Sequence, residues 1–571
     1  MEYIIFAAVM LGFIFLLMIK GCLDYRKQEK DFIKKLYTDY GVLPQREYKT
    51  EQFANISHYF KRHKTDFAID DITWNDLNMD EVFKKMNYTF SAAGEEYLYY
   101  TLRTPFLDKE VLEKRELLID YFSSHGDDRA ACQFLFAKLG RTGKFSIYDY
   151  LDYLDELGER NNFKHYAALG AAFISITVML VHLPVGLLLL VCTFIFNIIS
   201  YFKIKNEIDP YIVSFSYIFR LIHIVDRLYR QKIPILKEKS DSLKKASAGL
   251  NQFKRRSYLL MSPERMSGTS NPLELLLDYF RMVFHLDLIK FNNMLSEVRK
   301  HINDIDEMLT IVGEIETMIA IGAFRAGNKD YCIPEFSVGK EIHAKNIYHP
   351  LIENPVKNDI ITEKSVLITG SNASGKSTFL KTVAVNAILA QTVHTCMAES
   401  YFSGMFRICS SMTLRDDIQG GDSYYMVEIK ALKRIMDELK KEGGPVLCFV
   451  DEVLRGTNTV ERIAASTQIL KSLSAKNCLC FAATHDIELT HLLQQSYRNY
   501  HFEEEIEDND IFFSYKIMDG RATTRNAIKL LSIMGYDDEI VERAEKLAAD
   551  FLTKGSWEQS YEGQGLGLTN D

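Results

Sequence analysis

The stretch SVLITGSNASGKST, residues 365–378, decides the fold of the C-terminal part of the chain. Ser365 to Thr369 is a short apolar run of strand type. Gly370 to Lys376 then matches Gly-x4-Gly-Lys, with Ser377 and Thr378 following and a helical run continuing through Ala390. A strand feeding a glycine-rich loop that opens a helix is the context in which this pattern cradles phosphate. Backbone N–H groups from Gly370, Ser371, Asn372, Ala373, Ser374 and Gly375 would wrap the phosphates, and the helix N-terminus favours their negative charge. Lys376 would reach the β- and γ-phosphates, and the Ser377 hydroxyl would ligate Mg²⁺.

Two further apolar runs complete the expected site. Val446 to Val450 ends in Asp451 and Glu452. An aspartate at such a strand end would hold hydrated Mg²⁺, and the adjacent glutamate would orient or deprotonate an attacking water. Cys478 to Ala483 leads into Thr484 and His485, and a histidine one strand beyond the acidic pair would contact the γ-phosphate or the water. An isolated histidine or Asp-Glu pair is ordinarily a surface or capping feature. The shared context gives these two their meaning.

A chain of 571 residues exceeds one hydrophobic core, and 47% hydrophobic with 25% charged residues places it among globular proteins. The net charge of -9 argues against a protein that coats nucleic acid over its whole surface. A local basic stretch runs from Arg227 to Arg256, but Asp226, Glu238 and Asp241 lie in or beside it, so a solvated helix face explains it. Nine scattered cysteines without a Cys-x-x-Cys pair read as reduced thiols, with Cys478 and Cys480 on one face of a strand.

Three membrane helices are expected. Tyr3 to Ile19 carries no charge and is followed by Lys20, Arg26, Lys27 and Lys30, the pattern of an anchor within residues 1–20 rather than a cleaved leader. Ala167 to Phe202 contains no Asp, Glu, Lys or Arg. Pro184 and Gly186 break it, predicting a hairpin of helices 166–181 and 185–202 whose ends, beside Lys164, Lys203 and Lys205, face the cytoplasm. Neither helix so drawn carries an ionisable residue apart from His182 at the turn, which favours anchoring over transport. Residues 21–165 and 203–335 read as helical, with a long helix or helix pair between Leu273 and Val312. The glycine-rich tail from Leu552 to Asp571 reads as disordered.

The motifs GSNASGKST (370–378), GGDSYYMVEIKAL (420–432), DEVLRGTNT (451–459), ATHDIEL (483–489) and NAIKLLSIMGYDDEIVERAEKLA (526–548) together resemble the ATPase domain of the MutS mismatch-repair family, an ABC-type P-loop fold. AGEEYLYYTLRTPF (93–106), EVLEKRELLIDYF (110–122) and residues 260–325 resemble that family's helical core and levers. The resemblance implies an α/β P-loop ATPase domain over 336–551, preceded by a helical core interrupted by the membrane hairpin. It implies ATP and Mg²⁺ as cofactors, Glu452, His485 and Lys376 as catalytic residues, and Ser377 and Asp451 on the metal. It further implies adenine contacts near Val356 and Tyr515, and Ser423 contacting the nucleotide of a second subunit in a homodimer.

Departures from the family pattern bear on function. Leu454 stands where the family has a glycine, in Asp-Glu-x-Gly-Arg-Gly-Thr. The family's Phe-x-Glu mismatch wedge has no counterpart, since Phe502-Glu503-Glu504 lies inside the ATPase region. Two readings follow: an ATP-driven clamp with DNA as partner, and a membrane-tethered ATPase switch acting on a protein or lipid. A third, an ABC transporter subunit, is weakest, because the Leu-Ser-Gly-Gly-Gln signature is absent and the membrane segments are apolar.

Overall fold

Ser365–Thr369 folds as a strand buried along its whole length, as an apolar run flanked by parallel neighbours should. The computed structural model that shows this describes residues 2–554, except 49, 66, 143–145, 154–157, 159, 258–281, 329, 372–373, 413–423, 455–456, 508–509, 523–527, 529–530 and 533. Two compact units emerge. One comprises Met1–Ile69, Asn78–Tyr331 and Leu389–His394, the other Asp70–Leu77, Cys332–Ile388 and Thr395–Asp571.

The second unit holds ten strands among the described residues: β1 (Glu335–Ser337), β2 (Ile342–Ile347), β3 (Asn358–Thr362), β4 (Ser365–Thr369), β5 (Ser400–Gly404), β6 (Arg407–Ser411), β7 (Val446–Asp451), β8 (Cys478–Ala483), β9 (Tyr497–Glu507) and β10 (Asp510–Asp519). A six-stranded sheet runs β10-β9-β4-β8-β7-β6, and a smaller one runs β1-β5-β2-β3. In the larger sheet only the β9–β10 pair is antiparallel. Strands β4, β7 and β8 are buried at every position, which explains their near-continuous hydrophobicity. Cys448, Cys478 and Cys480 lie buried there as free thiols, with Sγ of Cys448 and Cys478 3.5 Å apart.

The first unit is helical. Helix Ala92–Arg103 starts at Ser91, whose side chain accepts from the Gly94 N–H, and helix Lys109–Ser124 starts at Asp108, which accepts from Glu110 N–H. Helix Ile302–Gly327 approaches the first of these closely. A Cβ on Gly313 would lie 2.6 Å from the Ala93 carbonyl oxygen, and one on Gly94 would lie 2.2 Å from the Glu316 carboxylate. Glu316, 1% exposed, accepts from the N–H groups of Phe90 and Ser91 and from the Ser91 hydroxyl. Burial pushes its carboxyl up to about 7 against the opposing pull of those hydrogen bonds.

Where three helices apolar enough to cross a membrane are expected, two are found among the described residues: Phe163–Val181 and the Leu183–Ile208 part of a longer helix. The N-terminal run forms the start of helix Glu2–Thr38, with the side chains of residues 2–18 outside the description. The hairpin turns where Pro184 predicts, and Pro184 sits in the first turn of the second helix, where its missing N–H costs nothing. Gly186 lets the helices touch, since a Cβ there would fall 2.1 Å from the Met179 nitrogen. The second helix does not stop at Phe202, however. It continues to Gln231, because Phe215, Tyr217, Ile218, Leu221 and Val225 beyond the apolar run are buried in the unit's core.

The first hairpin helix also begins three residues earlier than expected, which adds Lys164 and His165 to it. His165 Nδ1 lies 3.1 Å from His285 Nδ1, and the other His285 nitrogen is 2.9 Å from the Asn197 carbonyl oxygen. The hairpin therefore carries a buried polar cluster that its sequence pattern hid. The expected long helix or pair after Leu273 resolves, from Leu286 onward, into helices Leu286–Lys300 and Ile302–Gly327. The helix Asp538–Lys554 runs through the first residues of the expected tail, and residues 555–571 lie outside the description.

Candidate nucleotide site

The site forms at the carboxyl ends of β4, β7 and β8, where ligands collect in open α/β sheets. β4 delivers the loop. Gly370 adopts φ +144° and Gly375 φ +103°, and a Cβ on Gly370 would lie 2.9 Å from the Phe502 carbonyl oxygen. The loop thus needs glycine both for its backbone angles and for space. Lys376 opens the helix Lys376–Val393 and folds its ammonium back, donating to the carbonyls of Gly370 at 2.8 Å and Ser371 at 2.6 Å. Ser371 Oγ donates to Glu504 at 2.5 Å. Asn372 and Ala373 lie outside the described residues.

β7 delivers the acidic pair. The Ser377 hydroxyl donates to Asp451 Oδ2, so the two oxygens proposed for the metal meet in the fold although 74 residues separate them. This donor set suits a hard, oxygen-seeking cation such as Mg²⁺. Asp451 pairs in register with Ala483 of β8, and the Glu452 N–H donates to the Ala483 carbonyl at 2.9 Å. That register brings Glu452 to His485, with Oε1 2.8 Å from Nε2. The same His485 nitrogen is 3.3 Å from Lys376 Nζ. Lys376, Ser377, Asp451, Glu452 and His485, drawn from three strand ends, therefore form one connected group.

The backbone leaving β7 is strained. Glu452 and Leu454 adopt φ +57° and +61°, angles that cost a non-glycine residue about 1–2 kcal/mol each. Leu454 is the departure from the family glycine, and its positive φ supplies the physical reason glycine suits that place. Two contacts hold Leu454 there. Its side chain is buried in the apolar cluster with Val450, Leu470 and Leu489, and its N–H donates to the buried Glu428 carboxylate. Strain concentrated beside a reactive group is a common feature of functional sites.

Val356 and Tyr515 line one cavity of about 270 Å³, together with Gly375, Thr378, Phe379 and Phe502. The Tyr515 ring is close enough to Gly375 that a Cβ there would sit 3.1 Å from it. Three participants escape a reading of local pattern. Asn358 donates to the Tyr515 carbonyl at 3.0 Å and accepts from Ile517 N–H at 2.9 Å, fixing the irregularity in β10 that presents the tyrosine. Phe502 is buried in the cavity wall. Arg462 grips Asp486 with two hydrogen bonds of 2.9 and 2.6 Å, fixing the turn that carries His485, and Asp486 in return raises the Arg462 guanidinium's affinity for its proton. Only the Asp-after-His in ATHDIEL hinted at this last pair. Ser423 lies outside the described residues.

Comparison with known proteins finds relatives of this region. Residues 366–552 match the MutS domain V family. A DNA mismatch repair protein MutS of Thermus thermophilus is 31% identical over 263 residues, covering 44% of this chain and 31% of that protein. Its counterpart in Thermotoga petrophila is 32% identical over 267 residues, covering 45% and 33%. That of Clostridium kluyveri is 28% identical over 303 residues, covering 50% and 34%. The chain thus spans about a third of the length of these curated relatives. A P-loop on the central strand, an Asp-Glu pair on the next but one and a histidine between them accord with an ABC-type ATPase domain, and over residues 366–552 the chain is similar to MutS domain V.

Proposed function

We propose that the chain is a membrane-anchored ATPase that hydrolyses ATP at two composite sites in a homodimer and couples closure of those sites to its helical levers. The connected group Lys376–Ser377–Asp451–Glu452–His485 carries this reading. Bound ATP would supply the phosphoanhydride to be broken, with Mg²⁺ neutralising charge on its oxygens. Ser377 and Asp451 would hold the metal. Lys376 would exchange its loop carbonyls for phosphate oxygens. Glu452 would orient and deprotonate water, with His485 fixing the carboxylate's direction. The family resemblance adds Ser423, reaching the nucleotide of the second subunit, and adenine seated by Val356 and Tyr515.

Anchoring rests on the hairpin. Its large apolar side chains point outward, with Leu180 81%, Val181 85% and Phe196 69% exposed, which supports a lipid contact over a place in a soluble core. A continuous apolar surface of this kind calls for lipid or a large partner.

DNA is the partner that the family resemblance implies. A protein or lipid partner is the second reading, favoured by the net charge of -9 and by pairing within the basic stretch, where Lys254 meets Asp226 and Lys244 meets the Tyr229 hydroxyl. The test is the ATPase rate of the detergent-solubilised chain with homoduplex, mismatched and branched DNA across a salt series. Stimulation that falls steeply with salt supports the DNA clamp. A rate indifferent to every DNA selects the second reading, and no Mg²⁺-dependent hydrolysis at all defeats both.

A further inference from the structure

The helical unit contains a cavity of about 280 Å³ for which the nucleotide chemistry has no use. Arg46, Tyr48, Glu95, Glu96, Arg141 and Ser146 form much of its wall. Two guanidinium groups converge there on one acceptor, because Arg46 Nη2 and Arg141 Nη2 both donate to the Thr89 carbonyl, the latter at 3.1 Å. Sharing one neutral oxygen leaves two like charges side by side.

Their compensation is uneven. Arg141 pairs with Glu95 through Nε at 3.0 Å, and Glu95 also accepts from Asn87 at 2.6 Å. The Arg46 guanidinium gains some support from the Tyr48 hydroxyl and the nearby charge of Glu95, but its buried Nη1 has no hydrogen-bond partner among the described residues. Burial, and then the charge of Arg141, lower the affinity of Arg46 for its proton. Glu47, a third acid on the wall beside Glu95 and Glu96, is exposed.

A second donor stands opposite this requirement. Glu96 Oε1 accepts from the Ser146 hydroxyl at 2.7 Å, while Oε2 is buried without a partner. Burial, reinforced by Glu95 and Asp149, pushes the Glu96 carboxyl well above the usual carboxylate range and favours its protonated, donating form. Burying a guanidinium or a carboxyl without its partner is costly. Arg46 Nη1 is thus a buried donor on this wall with no acceptor among the described residues, the complement of a carboxylate or phosphate oxygen, which matches the fork of an arginine.

We propose that this cavity binds a small oxyanion, a carboxylate or phosphate ester, held between Arg46 and Arg141. Its volume of about 280 Å³ admits a small metabolite. All the lining residues belong to the helical unit.

The test is thermal unfolding of the detergent-solubilised full chain in potassium phosphate and in potassium malonate, each against potassium chloride at matched ionic strength. A saturable upward shift with either anion, retained in Lys376→Ala, is the expected result, and the effective anion assigns the ligand class. Arg46→Met and Arg141→Met should each raise the half-saturating concentration about tenfold or more, the loss of one charge-assisted pair. Thr142→Trp, at the half-buried rim, should abolish the shift by filling the space while leaving both arginines in place, and it decides the matter if the arginine variants do not fold. The proposal is overturned if neither anion exceeds chloride, if the shift survives Thr142→Trp, or if Lys376→Ala removes it.

Discussion

The carboxylates of the two units are arranged for opposite ends. At the end of β7, Asp451 and Glu452 sit among groups that can release them: a serine hydroxyl, a histidine, a lysine that now bonds to its own loop. In the helical unit Glu316 is enclosed and its three acceptor contacts are all to one helix start. The first arrangement keeps partners exchangeable for ligand and metal. The second fixes a helix in place and demands that its charge be offset by hydrogen bonds. Chemistry and architecture thus use the same residue type with different surroundings.

The largest expected effect lies at the exchangeable site. Glu452→Gln should slow hydrolysis by about 10²–10⁴-fold, the range for removing a general base, while nucleotide binding persists. Single-turnover ATPase and a nucleotide-binding titration measure the two separately, and a native rate would remove Glu452 from the mechanism. At the fixed site, Glu316→Ala should destabilise the fold by about 3–5 kcal/mol, since it strands buried N–H groups. Its unfolding midpoint in detergent measures this, and a loss as small as that of a surface mutation would erase the contrast.

Acidity sharpens the same comparison. Because the Glu316 carboxyl is raised to about 7 in the fold, against about 4.3 in an unfolded chain, the folded state binds this proton more tightly. Its contribution to stability is full below the unfolded value and is lost as pH rises toward 7. Glu316→Gln should flatten the fall in unfolding midpoint between about pH 4.3 and 7; an unchanged slope would place that proton elsewhere.

Smaller effects are expected from Leu454→Gly. Release of the left-handed strain returns about 1–2 kcal/mol, but the buried leucine is worth about 2–5 kcal/mol, so a modest net loss of stability should follow. A net gain would show that strain outweighs packing at this position. The smallest effect should come from deleting residues 1–20. The hairpin alone should keep the chain with the membrane fraction, and its release would refute the hairpin as anchor.

Much of the candidate site was legible because its motifs are written locally. The loop from Gly370 to Thr378, the Asp451-Glu452 pair and His485 each announce themselves within a few residues, and β4 and β8 run over the residues their apolar patterns predict. The turn at Pro184 was legible for the same reason. What stayed hidden depends on distant partners. Asn358 acts on Tyr515 across 157 residues, and Glu316 on Ser91 across 225. Arg46 and Arg141 meet at a carbonyl remote from both.

The sequence by itself determined the P-loop, the acidic strand end, the histidine and the existence of an apolar hairpin, because steric glycine needs and hydrophobic runs are properties of short segments. Only the tertiary structure decided that the second hairpin helix extends to Gln231, since its later turns are held by burial in the core rather than by their own apolar pattern. It likewise decided that Leu454 would occupy a glycine's backbone angle, because packing and one hydrogen bond from its N–H hold it there. Local pattern specifies which groups are available, and long-range packing specifies which of them meet.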